Sequence, residues 1–323
     1  MNIIKFFGKT ALILCGLLII FIIISSVNHN YQLRKESKLY PAPGKLIEVN
    51  NNNMHLYFKG EGNLTLVFMS GFSTSNPTID FKPLWSKMTG DYKIAVVERK
   101  GYGWSETSSN SRDLDTILEE TRKLLKLYGE DGQYVLIPHS MSGLEAIYWS
   151  QKYPDEVKAI IGLDPAIPEI YLENSDIIPK KYQLYAPYFI SRIGMSRFMD
   201  KSELEKTIPL LKSQELSTDD KNQLKAIFYK SAVTKNMLNE VEYIESNAQK
   251  VQDNGIPVNT PMYFFISDGS EIIFPNWREQ LSNYISQVNI GEYMYLDSEH
   301  YVHYSSSSII AAEIKRFLEE ISK

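Results

Sequence analysis

A chain of 323 residues, 43% hydrophobic and 12% aromatic, can bury one large core, or a core with an inserted subdomain, and is no disordered segment. Its net charge of −5 leaves no basic footprint and argues against a nucleic-acid partner. A single cysteine, Cys15, excludes an internal disulfide and a cysteine-built metal site.

Lys5 and Lys9 precede an uncharged run, Thr10–Val27, rich in Leu and Ile, and the next formal charge is Arg34. As a helix this run spans a hydrocarbon core of ~30 Å. Residues 1–27 are therefore expected to form a transmembrane signal anchor. Ser25-Ser26 offers small residues for cleavage but no clear A-x-A site, which favours an uncleaved anchor over a signal peptide. Cys15 sits mid-run, after Leu14, and is poorly placed for lipidation. Lys5, Lys9 and the terminal amine nearly balance Arg34, Lys35 and Lys38 across the span. A short N-terminal tail kept inside is the ordinary outcome. It places the rest of the chain outside a bacterial-type cell membrane, as a single-pass protein whose partner through this helix is the bilayer. Residues 28–44 are polar, end in Pro41-Ala42-Pro43-Gly44, and read as a spacer.

Lys45–Val49 and Met54–Lys59 read as a hairpin about Asn50–Asn53, with His55 on a strand face and no chemical partner in view. Leu64–Met69 is an apolar strand that ends in Ser70-Gly71-Phe72-Ser73. Lys93–Val97 is another, followed by Glu98-Arg99-Lys100-Gly101-Tyr102-Gly103-Trp104-Ser105. In that stretch the glycines suit a bend and Arg99 an ion pair, while Ser105 has no base in sight. Asp113–Tyr128 is an amphipathic helix with Leu114, Ile117, Leu118, Leu124 and Leu125 on one side.

Gln133–Pro154 organises the chain. Its apolar run, Tyr134–Ile137, turns at Pro138-His139-Ser140-Met141-Ser142-Gly143 and continues as a helix with Leu144, Ile147 and Tyr148 at helical spacing. A strand, a sharp turn carrying one serine and a helix make a nucleophile elbow. The helix points its first N–H groups and the positive end of its dipole at the serine, so the Met141 N–H can stabilise an oxyanion there. Val157–Leu163 is a further buried strand, ending in Gly162-Leu163-Asp164-Pro165-Ala166. Strands that alternate with helices argue for a mostly parallel sheet with helices on both faces.

Residues 166–256 break that rhythm: helical stretches near Tyr185–Met199, Thr218–Ser231 and Thr234–Lys250, and no convincing strand. Pro261–Ile266 and Glu292–Leu296 return to strands, and Ser305–Lys323 closes as a helix. The loop after the last strand carries Asp297-Ser298-Glu299-His300-Tyr301-Val302-His303. The five histidines, His29, His55, His139, His300 and His303, show no metal-ligand spacing, and no dinucleotide or P-loop motif follows a strand, so no metal or cofactor is expected.

The elbow resembles the G-x-S-x-G elbow of the α/β-hydrolase family in its G-H-S-M-G-G variant, with Pro138 and Ser142 in place of two glycines. Glu98–Ser105 is similar to the D-x-R-G-x-G-x-S stretch of the same family. The resemblance covers Lys45–Lys323. It implies a core over 45–165 and 257–323, interrupted by an all-helical cap over 166–256. It also implies a second oxyanion donor at the Phe72 N–H, with Gly71 permitting the approach. Tyr182, Tyr185, Tyr188, Phe189, Met195, Phe198 and Met199 are then candidates for the underside of the cap, and those facing the serine would make an apolar pocket. A serine at the elbow argues against the haloalkane and epoxide branches, which use aspartate there.

A serine hydroxyl needs a base, and the base an orienting acid. The family order Ser…acid…His gives the base as His300, with His303 the alternative three residues on. For the acid, Asp164 after the strand following the elbow helix is preferred, with Asp268 and Glu271 beside the family's other position. The resulting expectation is a membrane-anchored serine hydrolase cleaving carboxylic esters of apolar acyl groups through Ser140, His300 and Asp164, with Phe72 and Met141 as oxyanion donors. The same fold could carry an amidase or iminopeptidase, a cofactor-free lyase, or a non-catalytic surface module.

Overall fold

The computed structural model describes residues 2–323, with side chains from Phe6 onward. Residue 1, at the start of the expected anchor, lies outside them. The first element is one continuous helix, α1 (Asn2–Leu39). It is long and apolar enough to cross a membrane by length and composition. It does not stop at Val27: most of the polar stretch expected as a spacer is its last three turns.

Among the described residues, eight strands form a single sheet: β1 (Lys45–Val49), β2 (Asn52–Lys59), β3 (Thr65–Met69), β4 (Lys93–Glu98), β5 (Tyr134–Ser140), β6 (Val157–Pro165), β7 (Met262–Ile266) and β8 (Gly291–Tyr295). Their order is β1-β2-β4-β3-β5-β6-β7-β8. The β1–β2 and β2–β4 pairs are antiparallel, and every other pair is parallel. The β1–β2 hairpin closes on Asn50 and Asn51, both at positive φ, the two-residue turn that asparagine tolerates best among side-chain-bearing residues.

The period of two along a strand sorts the core into two layers. On β3, Leu66 and Phe68 face one layer with Phe81, Trp85 and Phe317, whereas Val67 and Met69 face the other with Leu118, Leu144 and Ile147. Each of these side chains contributes ~1.5–3 kcal/mol by leaving water. Helix α2 (Leu114–Tyr128) buries its expected stripe against the second layer. Asp113 caps its first turn by accepting from the Thr116 N–H at 3.0 Å, and Gly129, at φ 102°, ends it. Helix α3 (Ser142–Lys152) follows β5 directly.

Among the described residues, the chain between β6 and β7 contains only helices. The longest are α4 (Tyr185–Arg192), α5 (Thr218–Ser231) and α6 (Lys235–Asp253). Part of this insertion has a core of its own, Leu204, Ile208, Leu210, Leu211, Leu224 and Phe228, which closes on Ile79 of the body. Lys82 reaches Asp220 across the junction at 2.6 Å. Helix α7 (Trp277–Ile285) follows β7, and α8 (Ser307–Glu320) ends the fold. The carboxyl ends of β3, β5, β6, β7 and β8 share one edge of the sheet, the edge where open α/β sheets place ligands.

Candidate active site

Ser140 is the last residue of β5 and has φ +54°. A side-chain-bearing residue held there costs ~1–3 kcal/mol. The strain is held by its surroundings. The Ser140 carbonyl accepts from the Ala166 N–H at 2.8 Å, which ties the end of β5 to the end of β6. Ser142, which replaces a family glycine, uses its hydroxyl three ways: it donates toward the Met69 carbonyl at 2.7 Å and the His139 carbonyl at 2.9 Å, and accepts from the His139 N–H at 3.0 Å. Pro138 falls next to the register break between His139 and Ser140, near the strand's end, where a missing ladder donor matters least. Gly143 lets α3 lie against β6, since a Cβ there would come within 2.2 Å of the Ala166 carbonyl oxygen.

Asp164, near the end of β6, is fully buried and also has a left-handed backbone, φ +48°. Its Oδ2 lies 2.6 Å from His300 Nδ1. Its Oδ1 accepts from the Ser267 N–H at 2.9 Å and from the Trp277 indole N–H at 2.8 Å. Three donors thus surround one buried carboxylate and satisfy it without a lysine or arginine. The other two candidate acids lie elsewhere. Asp268 is exposed, and the Ser270 hydroxyl, then the Ser270 N–H that donates to it at 2.8 Å, lower its pKa from the ordinary value. Glu271 is exposed on the neighbouring turn.

His300 is only partly buried, and its ring lies 4.7 Å from that of His139, the residue before Ser140. The His139 Nε2 approaches the His300 carbonyl at 3.2 Å. Burial first, then the neighbouring imidazoles of His300 and His303, push the His139 pKa well down, so His139 is a neutral spacer between the elbow and the histidine loop. Arg278 anchors that loop: it donates to the Ser267 carbonyl at 2.5 Å and to the Leu296 carbonyl at 2.8 Å, joining the ends of β7 and β8. The alternative base, His303, is fully buried. It lies 2.9 Å from Asp80, which also accepts from the Tyr304 hydroxyl. That pair is cut off from solvent and holds the body beneath the insertion.

Gly71 explains the approach of the loop after β3. A Cβ on it would fall 2.8 Å from Ser140 Cβ and 3.0 Å from His139 Nδ1. The loop therefore touches the elbow, and the N–H groups of Phe72 and Met141 donate to no protein group among the described residues. Arg99 donates to the Gly71 carbonyl at 3.2 Å from a buried position between Glu145 and Glu240, each 3.7 Å away. Burial opposes its charge, and Glu240, the Tyr102 hydroxyl and Glu145 restore it. Arg99 is thus both an ion-pair member, as expected, and the brace of this loop.

Two expectations need correcting. His55 has a partner: its Nδ1 lies 2.9 Å from Glu98, and neither side chain is exposed. Burial would raise the Glu98 pKa, but His55, the Trp104 N–H and Thr78 hold it below the ordinary value. Ser105 serves the same knot, donating to the Glu98 carbonyl at 2.6 Å. The aromatics expected beneath the insertion are also misplaced. Tyr182, Tyr185, Phe189 and Phe198 are exposed, and Tyr188, Met195 and Met199 are half-buried. Beside the histidine loop, Pro209, Leu210, Glu215, Glu271, Glu299, Tyr301 and Tyr304 line a cleft of about 530 Å³ that does not include Ser140 or His300.

Trp277 and Asp80 are not legible in the sequence as partners. Each meets its histidine or carboxylate across more than a hundred residues of chain, where no local spacing exists to read.

Residues 65–307 match the family described as the alpha/beta hydrolase fold. The uncharacterized protein YbdG of Bacillus subtilis (strain 168) is 35% identical over 249 residues, 77% of this chain and 76% of that one. A 2-(acetamidomethylene)succinate hydrolase of Mesorhizobium japonicum is 23% identical over 118 residues, covering 36% of this chain and 41% of that one. Among solved structures, an epoxide hydrolase of Bacillus megaterium superposes with a TM-score of 0.64 at 17% identity, over 85% of this chain and 100% of that one. One from Vigna radiata superposes with a TM-score of 0.63 at 19% identity, over 85% and 97%. At these identities the structures speak to the fold alone.

Proposed function

The chain belongs to the α/β-hydrolase fold family, and from that premise we propose that it is a membrane-anchored serine hydrolase that cleaves neutral carboxylic esters through Ser140, His300 and Asp164. The observation that carries the reading is the 2.6 Å contact between His300 and the buried Asp164, one strand over from a serine held at positive φ. In the proposed reaction the Ser140 hydroxyl attacks the ester carbonyl carbon while His300 Nε2 takes its proton. Asp164 keeps Nδ1–H in place and stabilises the imidazolium. The Phe72 and Met141 N–H groups bind the oxyanion, a contribution of ~3–4 kcal/mol per donor in comparable sites. The tetrahedral intermediate collapses, His300 returns the proton to the departing alcohol, and a water repeats the sequence to release the acid and free Ser140.

An aspartate nucleophile, as in the epoxide and haloalkane branches, is replaced here by Ser140, so an acyl-enzyme rather than an alkyl-enzyme is the intermediate. Uncharged substrates are favoured in this reading, because the carboxylates of Glu271 and Glu299 beside the histidine loop would repel a free carboxylate. That separates this reading from the Mesorhizobium relative, whose substrate is a substituted succinate. In the same reading α1 anchors the enzyme at a cell membrane, with the globular part outside.

Kinetics on a panel of neutral acyl esters, proline amides, cyanohydrins and a succinate half-ester test the proposal. Wild type is expected to prefer the neutral esters, and Ser140→Ala to lose about 10³-fold or more of kcat. Proline amides cut while esters survive would replace the esterase by an iminopeptidase. A folded wild type inert to all of them would favour the non-catalytic module.

A further inference from the structure

α1 does not leave the globular part on a free tether. Its second half is docked along the insertion. Ser25 donates to the Ile193 carbonyl at 2.6 Å. Arg197 holds Glu36 by two hydrogen bonds, of 2.7 and 2.6 Å, and reaches His29 Nδ1 at 2.9 Å. Gly194 lies so close to α1 that a Cβ would fall 2.5 Å from that of His29. The Phe21 and Phe198 rings pack with centroids 5.7 Å apart.

This docking fixes a depth. The apolar run ends at Val27, and Phe21 is six residues inside it, ~9 Å at the rise of a helix. A side chain level with Phe21 is therefore ~9 Å below the end of the apolar span. Phe198 is at that level, and it is 59% exposed. The neighbouring Tyr182, Tyr185, Phe189 and Ile190 are also large, apolar and exposed, Phe189 by 56%. Grouped exposure of this kind marks a surface that is covered in use.

The composition names the cover. From Ile177 to Met199 there is no aspartate or glutamate, while Lys180, Lys181, Arg192 and Arg197 are all basic. Lys181 is taken by Glu242 and Arg197 by Glu36; Lys180 and Arg192 stay exposed. Aromatic and aliphatic side chains fringed by free basic groups suit the boundary between acyl chains and headgroup phosphates.

We propose that the Tyr182–Phe198 edge of the insertion is a bilayer-docking surface, with Phe189, Ile190 and Phe198 entering the leaflet beside α1 and Lys180 and Arg192 meeting lipid phosphates. The inference rests on the reading of α1 as a membrane span, but not on the chemistry of Ser140. It accounts for the misplaced aromatics: they line lipid rather than a substrate pocket. It also makes α1 a rigid strut that sets how the insertion meets the membrane.

Full-length protein in vesicles of phosphatidylcholine and phosphatidylglycerol, carrying an environment-sensitive fluorophore on one cysteine, tests this with doxyl-labelled lipid as quencher. Three positions are compared: native Cys15; Phe189→Cys in a Cys15→Ser background; and Asn283→Cys in the same background, on α7 toward the sheet edge opposite β1. The proposal expects a several-fold loss of emission at positions 15 and 189 and none at 283. Quenching at 15 with position 189 as bright as 283 would overturn the docking surface and leave the span standing. Energy transfer between copies at 189 without lipid quenching would assign the face to a second copy and overturn it likewise. No quenching at Cys15 would remove the span, and the docking with it, while leaving the esterase reading untouched.

Discussion

Two histidine–carboxylate pairs stand three residues apart in the loop after β8, and they differ in what surrounds them. His300–Asp164 is open on one side: the imidazole is partly exposed, and the carboxylate is held by a backbone N–H and an indole. His303–Asp80 is closed, packed under Phe81 and bonded to Tyr304. The contact distances, 2.6 and 2.9 Å, barely separate them. Access does, together with the seat of the acid at the end of the strand beside the elbow. A His–Asp contact is therefore no sign of catalysis until one side of the imidazole is free to reach a substrate.

Paired substitutions sharpen that contrast. Asp164→Asn is expected to lower kcat by ~10³–10⁴-fold with little change in melting temperature, because it removes the acceptor that orients the imidazole. Asp80→Asn is expected to do the reverse: to cost ~3–5 kcal/mol of stability by breaking a buried pair, with activity per folded molecule nearly kept. Kinetics and thermal unfolding on the same preparations read both, and equal losses of activity would break the comparison. Trp277→Phe comes next. Asp164 loses one of its donors, and a fall of ~10-fold in kcat with KM unchanged is expected, since the effect is on orientation rather than binding.

A smaller effect lies in pH. His139 stays neutral in the fold because burial and two imidazoles depress its pKa below the ordinary 6.5. Below pH 6.5 the unfolded chain binds a proton that the folded one refuses, so stability falls as pH drops from 6.5 toward the folded pKa and is flat above. His139→Gln should remove one proton from that slope in denaturant titrations between about pH 5 and 8. An unchanged slope would mean that His139 is charged in the fold. The smallest change expected is Ser142→Ala, ~1 kcal/mol, from its bonds to the Met69 and His139 carbonyls.

Much of this molecule is legible in the chain itself. The strands of the sheet are short apolar runs between turn residues, and local chemistry suffices to place them. The elbow is local too, and so is the left-handed Asn50-Asn51 turn. Asp164 is readable because it lies where an apolar strand run ends, a position the family uses. The partners of Asp164 and His303 are not, because Trp277 and Asp80 arrive through tertiary folding. The aromatics of Tyr182–Phe198 mislead for a different reason. Periodicity reports that a face is apolar but not whether protein or lipid covers it. The stretch after Val27 reads as a spacer from its polarity, yet Gln32, Leu33, Arg34, Lys35 and Glu36 are good helix formers, and His29 and Glu36 find their partners on the insertion.

The central claim is that Ser140 is an activated nucleophile and His300 its base. Reaction of the folded protein with a fluorophosphonate, followed by peptide mass mapping, tests it most directly. The account predicts one adduct, on Ser140, that is absent in Ser140→Ala, strongly slowed in His300→Gln and retained by the folded fraction of His303→Gln. An adduct on another residue, or one indifferent to His300→Gln but lost in folded His303→Gln, would contradict it.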